Sequence, residues 1–250
     1  VRAISDVQTA PIAIPPATNA PSATARTAVV VVTLWASPMC LKRRFASLAG
    51  VSNGIVLLDH KVQPALLPLG VKALLQPQRP AWASPKGMYG GTSKWAKLSF
   101  VLWLASSEFD FAWHLEDDVG VAGNWSELVR LYSNDTESDL IGQFNFDRKH
   151  GYYSHDCTVC GPKAGITKWP VLRMSRKLAR AIVQRVCAGE DGHHEAFALA
   201  ACAMMPKCQW RLLEHARLYL LKGSEHRDMK QHKLRFIIPA DPAGDIVFHP

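Results

Sequence analysis

From Ala28 the chain runs almost without a polar break through Ala28-Val29-Val30-Val31-Val32-Thr33-Leu34-Trp35. A β-branched run of this kind is the pattern of a strand covered on both faces, as in a parallel sheet. A second run, Gly54-Ile55-Val56-Leu57-Leu58-Asp59, follows a stretch over 41–48 that suits a helix, so the two predict a βαβ opening. Residues 76–91 are rich in Pro and Gly and read as a loop. Thr92 or Ser93 then caps a helix in which Trp95, Leu98, Leu102 and Ala105 recur at intervals of three or four. Residues 109–115 form an apolar strand running straight into Glu116-Asp117-Asp118. Asn124 and Glu127 make a capping box for a helix over 125–132. A strand over 139–146, a helix over 175–186, an apolar helix over 196–205 and a short strand before His249 continue the alternation. The pattern predicts one α/β domain with a mostly parallel sheet over 28–250.

Residues 1–27 are rich in Pro, Ala and Thr and have neither period, which suits a flexible stem. The longest apolar runs are far shorter than the roughly 18–20 residues needed to span a bilayer, and the first residues have no signal-peptide pattern. Any targeting or membrane segment is therefore expected outside this chain. The net charge of +8 is scattered, without the aromatic interleaving of single-strand binders. It reads as a solvated surface with a share left for an anionic ligand, and nucleic acid is not the expected partner. Six cysteines, Cys40, Cys157, Cys160, Cys187, Cys202 and Cys208, allow up to three disulfides in an oxidising compartment. The sequons at Asn124 and Asn134 point the same way. Cys157-x-x-Cys160, near His155, has no second such pair to complete a zinc set.

The chemistry concentrates at Glu116-Asp117-Asp118. Adjacent carboxylates raise one another's pKa unless a cation intervenes, and a strand's C-terminal end is where open α/β sheets bind ligands. Magnesium or manganese suits such a site, since each takes a few carboxylates and completes its shell with water and phosphate oxygens. A solvated acidic turn is the competing reading. His114-x-Glu116 with a distant histidine also has the residue types of an Fe(II)/2-oxoglutarate oxygenase, against which the helices between the strands argue. His193 and His194 lack the i, i+4 partner of a helical zinc site.

Trp113-His114-Leu115-Glu116-Asp117-Asp118-Val119 resembles the aspartate-rich metal motif of nucleotide-diphospho-sugar glycosyltransferases with the GT-A fold. The order of features supports the match: a βαβ opening, Ser93-Lys94-Trp95 before the motif strand, the motif, a later acid and a C-terminal histidine. The resemblance implies a Rossmann-type α/β/α sandwich that transfers a sugar from a nucleotide-diphosphate donor, UDP foremost, to a glycan, glycoprotein or small-molecule hydroxyl. It implies Mn2+ or Mg2+ on Asp118 and His249, with His226 and His232 as rivals to the latter. Glu116 or Asp117 is then expected to face the ribose or bridge to it by water. Thr33 and Asp59 lie where base and ribose rest, and Lys94 near the diphosphate. Glu195 matches the catalytic base of an inverting reaction, though a carboxylate at a helix start can equally be a cap, and retention stays open. Residues 161–175 resemble the loop that contacts acceptor and sugar. The implied location is the Golgi or ER lumen, as the lumenal part of an anchored protein. A binding domain of the same fold without turnover is the third reading.

Overall fold

A computed structural model of the chain describes residues 25–32, 48, 51, 53–58, 71–76, 92–116, 119–121, 125–145, 165–190, 192–214, 216–218 and 247–249. The expected stem up to residue 24, the helix over 41–48 except Leu48, the loop after Gln76 and the capping Asn124 lie outside them. So do Cys40, Cys157 and Cys160.

The elements in chain order are β1 (Thr27–Val32), β2 (Gly54–Leu58), β3 (Lys72–Leu75), α1 (Thr92–Ser106), β4 (Phe111–Glu116), β5 (Gly120–Val121), α2 (Trp125–Leu131), β6 (Leu140–Asn145), β7 (Ile166–Ser175), α3 (Arg176–Cys187), α4 (His194–Met204), β8 (Trp210–Leu212), β9 (Ala216–Leu218) and β10 (Val247–His249). Seven strands form one sheet in the order β3-β2-β1-β4-β7-β6-β8. β7 runs antiparallel to both its neighbours, and every other pairing in the sheet is parallel. A smaller sheet, β5-β10-β9, involves residues next to the acidic run.

The alternation along β1 divides the core. Ala28, Val30 and Val32 pack with α1, α3 and α4 on one face, while Val29 and Val31 pack with Trp113, Leu115 and α2 on the other. Helix α1 is apolar around most of its circumference, and this explains why its buried side, with Leu98, Val101 and Leu104, differs from the expected stripe. Leu102 and Ala105, expected at its centre, are only partly buried.

The largest departure from the sequence reading is β7. Residues 166–175 are not an acceptor loop but a ten-residue inner strand, buried at every position except Lys168. Proline argues against a central strand because it cannot donate to the ladder. Pro170 is accommodated here by a bulge: Gly142 pairs with Leu172, and the next residue, Gln143, pairs with Lys168. Residues 169–171 thus leave the regular register. Leu172 and Trp169 face the α1 side, and Val171 between them faces the other.

At the far end of β7, Arg173 is buried and donates to the carbonyls of Tyr132 and Ser138 and to Asp135 at 3.3 Å, while its guanidinium stacks on Phe111. Arg211 on β8 reaches the same carboxylate at 3.2 Å. Ser175 accepts from Leu178 to cap α3 and donates to Asp139 at 2.6 Å. A disulfide, Cys202–Cys208, ties the end of α4 to the approach to β8. Cys187 is exposed and has no disulfide partner among the described residues.

Burial pushes the Asp135 carboxyl up, but the Ser138 N–H and hydroxyl, then Arg173 and Arg211, outweigh it and hold the group below the usual carboxylate range. Arg173→Ala is expected to lower unfolding free energy by about 1–3 kcal/mol in urea titration, since Asp135 keeps Arg211 and Ser138 while the carbonyls of Tyr132 and Ser138 lose the Arg173 donor. The Asp135 contribution is present above the ordinary carboxylate value of 3.8 and is lost as pH falls through the lower folded value.

Candidate functional site

Strand β4 has neighbours on both sides and ends at Glu116, so the acidic run leaves the sheet at the carboxyl edge. Its alternation sends Trp113 and Leu115 to the α2 face, and Ala112, His114 and Glu116 to the face covered by α1. The Glu116 carboxylate meets the Lys97 ammonium at 2.9 Å, with each side chain about 10% accessible. Lys97 stands on α1, one turn after Lys94 and on a helix otherwise packed into the core. The first acid of the run is thus partnered by a cation from within the fold, and only a close ion pair tolerates that degree of burial.

Two residues back, His114 is fully buried. Its Nδ1 lies 2.8 Å from the Trp169 carbonyl oxygen, which can only accept, so Nδ1 carries the proton. The ring sits edge-on to Phe100 at 4.9 Å and to Trp169 at 5.3 Å. Burial, then the nearby Lys97 charge, lower its pKa to about 3 against the opposing effect of the Trp169 carbonyl. His114 is therefore a neutral imidazole at physiological pH. Its bond to Trp169 and its packing between two aromatic rings give it a structural place, and helices cover the sheet. The oxygenase reading is thereby not supported.

Trp169 connects this strand to the start of α4. Its indole Nε1–H donates to the His194 carbonyl at 2.9 Å, and its ring meets that of His194 at 5.9 Å. His193 is the N-cap of α4, its Nδ1 accepting from the Glu195 N–H at 3.4 Å. The same Nδ1 lies 3.9 Å from Glu195 Oε2. A nitrogen that accepts from a backbone N–H has no proton to offer the carboxylate, so the cap favours a neutral ring with its proton on Nε2. Glu195 is itself buried, in the first turn of α4.

Thr33, Asp59, Asp117, Asp118, His226 and His232 lie outside the described residues, and Lys94 is described only as part of α1. His249 is described as the last residue of β10, which pairs antiparallel with β5 in the register Phe248↔Gly120. The next step along that register runs from His249 toward Val119, the residue after Asp118 in sequence. Among the described residues no three His, Cys, Asp or Glu side chains gather as a metal set. The structure brings Glu116, His114 and the α4 start that bears Glu195 into one connected layer, and sets the backbone of the C-terminal histidine beside the strand following the acidic run. Lys97 and Trp169 went unassigned at the sequence level. The signal for Lys97 was that it and Lys94 are the two cations of an otherwise apolar helix; for the bonds that Trp169 makes there was none.

No family model matches the chain, and no curated protein matches it. Among solved structures, the galactosyltransferase LgtC in complex with donor and acceptor sugar analogs is similar over 89% of this chain and 86% of that one, at 13% identity and a TM-score of 0.51. An active-site mutant of LgtC aligns over the same shares, at 13% identity and a TM-score of 0.50. Mouse xyloside xylosyltransferase 1 in its apo form aligns over 90% of this chain and 97% of that one, at 13% identity and a TM-score of 0.46. The chain has the fold of LgtC, the GT-A-like α/β fold that the motif resemblance implies.

The buried neutral imidazole has a pH signature. The unfolded chain takes up a proton at His114 near pH 6.5, while the folded chain resists it until about pH 3. Stability is thus expected to fall as pH drops below 6.5, this residue supplying up to about 1.4 kcal/mol per pH unit. In His114→Phe that part of the slope should vanish, whatever the variant's absolute stability; an unchanged slope in denaturation measured across this range would show that His114 is not held neutral.

Proposed function

We propose that this chain is a glycosyltransferase that moves a sugar from a nucleotide-diphosphate donor to an acceptor hydroxyl, at the carboxyl edge of β4. The observation carrying this reading is a convergence: the central strand of a GT-A-like sheet ends at Glu116-Asp117-Asp118, while the β5–β10 register brings the backbone of His249 alongside. Residues 120 and 248 are far apart in sequence, and their pairing, two positions after Asp118 and one before His249, suits a ligand shared by those two side chains.

A divalent cation fits this donor set. Glu116 already has Lys97 as a partner, which leaves Asp118, with His249, as the residues that would hold Mn2+ or Mg2+. When bound, such an ion supplies Lewis-acid neutralisation of the departing diphosphate. In this reading Asp117 contacts the ribose, Glu116 positions the run through Lys97, Lys94 approaches the diphosphate, and Thr33 and Asp59 flank base and ribose, with UDP the first choice of nucleotide. Glu195 takes the proton from the acceptor hydroxyl at a carboxylate oxygen as that hydroxyl attacks the anomeric carbon from the face opposite the leaving group, which gives inversion. The Cys202–Cys208 disulfide and the exposed Asn134 and Thr136 of one sequon suit a lumenal location.

A screen of nucleotide sugars for manganese-dependent release of the nucleotide diphosphate tests class and donor together. Asp118→Ala should lower the rate by about 100-fold or more with the fold retained, since metal stabilisation is worth several kcal/mol. Glu195→Gln should lower kcat about 10²- to 10⁴-fold while nucleotide binding persists. Full activity in Asp118→Ala would rule out the metal assignment, and diphosphate binding without any turnover in the wild type would identify a non-catalytic binding domain.

A further inference from the structure

We propose that Trp169 is a positioning residue that sets the place of Glu195 relative to the acidic run, an inference that rests on the glycosyltransferase reading above. Trp169 is fully buried and makes one hydrogen bond in each direction. Its backbone carbonyl accepts from His114 Nδ1 at 2.8 Å, on the strand that ends two residues later at Glu116. Its indole N–H donates to the carbonyl of His194 at 2.9 Å, the residue immediately before Glu195. A single residue, through its backbone carbonyl on one side and its indole on the other, therefore links the strand that leads into the acidic run and the helix that carries Glu195.

Two features separate this tie from ordinary packing. The first is the bulge that produces it. Regular pairing with β6 continues from Gly142↔Leu172 directly to Gln143↔Lys168, so Trp169 stands outside that ladder and its ring is aimed to the same side of the sheet as Leu172. Bulges recur beside active sites for this purpose. The partner position is a glycine: a Cβ added at Gly142 would meet Thr167 Cγ2 at 3.2 Å, which Thr167 would have to yield to by a few tenths of an ångström, and Leu172 Cβ at an ordinary 3.6 Å.

The second feature is where the indole bond lands. His194 is the first residue of α4, and a side-chain bond to its carbonyl fixes the azimuth of the opening turn, hence the direction in which Glu195 leaves the helix. The His193 cap, a 3.4 Å bond from the Glu195 N–H, is too long to fix that direction by itself. His114 completes the chain: it is neutral, donates through Nδ1 and is clasped between the Phe100 and Trp169 rings, so the carbonyl end of Trp169 is anchored as firmly as the indole end.

The test removes the N–H and keeps an aromatic ring, of the same shape in one of two replacements. In the full-length chain Trp169→Phe, and separately replacement of Trp169 by 3-benzothienylalanine, whose shape is that of tryptophan with sulfur in place of N–H, are assayed for sugar transfer and for amide hydrogen exchange. The analogue keeps the question open to measurement should the phenylalanine variant fold poorly. Both replacements are expected to lower kcat about 10- to 100-fold, the range that a displacement of about 1 Å of a reacting group produces, with the donor KM within about twofold of wild type. Faster exchange of the backbone amides at 194–196, with α1 and β4 unchanged, is the structural counterpart.

Wild-type kcat in the analogue, in an enzyme that does transfer sugar, overturns the proposal and leaves the glycosyltransferase reading intact. Equal losses in kcat and donor affinity, or faster exchange throughout the sheet, also overturn it, because they mark a residue that only holds the core. If the wild type transfers no sugar at all, the functional reading fails by itself, and unaltered exchange at 194–196 then disposes of the tether as well.

Discussion

Like charges gathered at one end of a buried strand must be compensated, and this constraint organises the region around β4. Two carboxylates within a few ångströms resist joint ionisation, and burial raises the cost further. The chain answers in part from its own resources, by placing Lys97 on α1 at 2.9 Å from Glu116 in a site where both side chains are about nine-tenths covered. A cation there costs a helix turn of apolar surface. It also gives the first member of the run a partner from within the fold. The same ammonium acts on His114, where its charge adds to burial in disfavouring protonation. One lysine thus bears on two groups along the same face of β4, as the ion-pair partner of Glu116 and as a second cause, after burial, of the neutral His114.

The neutral His114 in turn decides how β4 communicates with β7. An imidazole held with its proton on Nδ1 donates to the Trp169 carbonyl, a bond that compensates a backbone acceptor left outside regular pairing by the bulge. From there the indole reaches α4. The order of dependence runs from charge to tautomer, from tautomer to backbone, and from backbone to helix position. None of these links is strong individually, since a typical intramolecular hydrogen bond contributes about 0.5–1.5 kcal/mol net. Their value lies in being buried together, where each removes an alternative orientation for the next.

Much of this fold was legible in the sequence, and the reason is periodicity. The β-branched run of β1, the apolar run of β4, the cap of α1 and the capping box of α2 each carry a pattern that one local geometry satisfies, so Thr92–Ser106, Phe111–Glu116 and Trp125–Leu131 lie close to where the pattern puts them. β7 was illegible because its signals conflict. Pro170 and Lys168 break an apolar run, and only the pairing with β6 across a bulge reconciles them with a central position. The acidic run announced itself by composition, but the partner of its first acid did not. Lys97 reads as a surface residue until tertiary packing closes over it, and a tryptophan bridging two elements has no local pattern, because its partners are 55 and 25 residues away in sequence.

The antiparallel placement of β7 bears on how the start of α4 comes to lie at the edge where β4 ends. In a purely parallel arrangement the strand after β4 would itself return through a covering helix, and its carboxyl end would add a further loop at the same edge. Here β7 begins at that edge and runs away from it, since Glu116 ends β4 near Trp169 while Phe111 at the opposite end pairs with Ser175. Its early residues therefore lie toward the carboxyl end of β4, and α3 starts from the far side of the sheet. Helix α3 has to cross back before α4 opens, and this returns the α4 N-terminus, with Glu195, to the edge where β4 ends. Reversal of one strand is thus what brings a residue 79 positions beyond Glu116 back within two side chains of it, without any long excursion among the described elements.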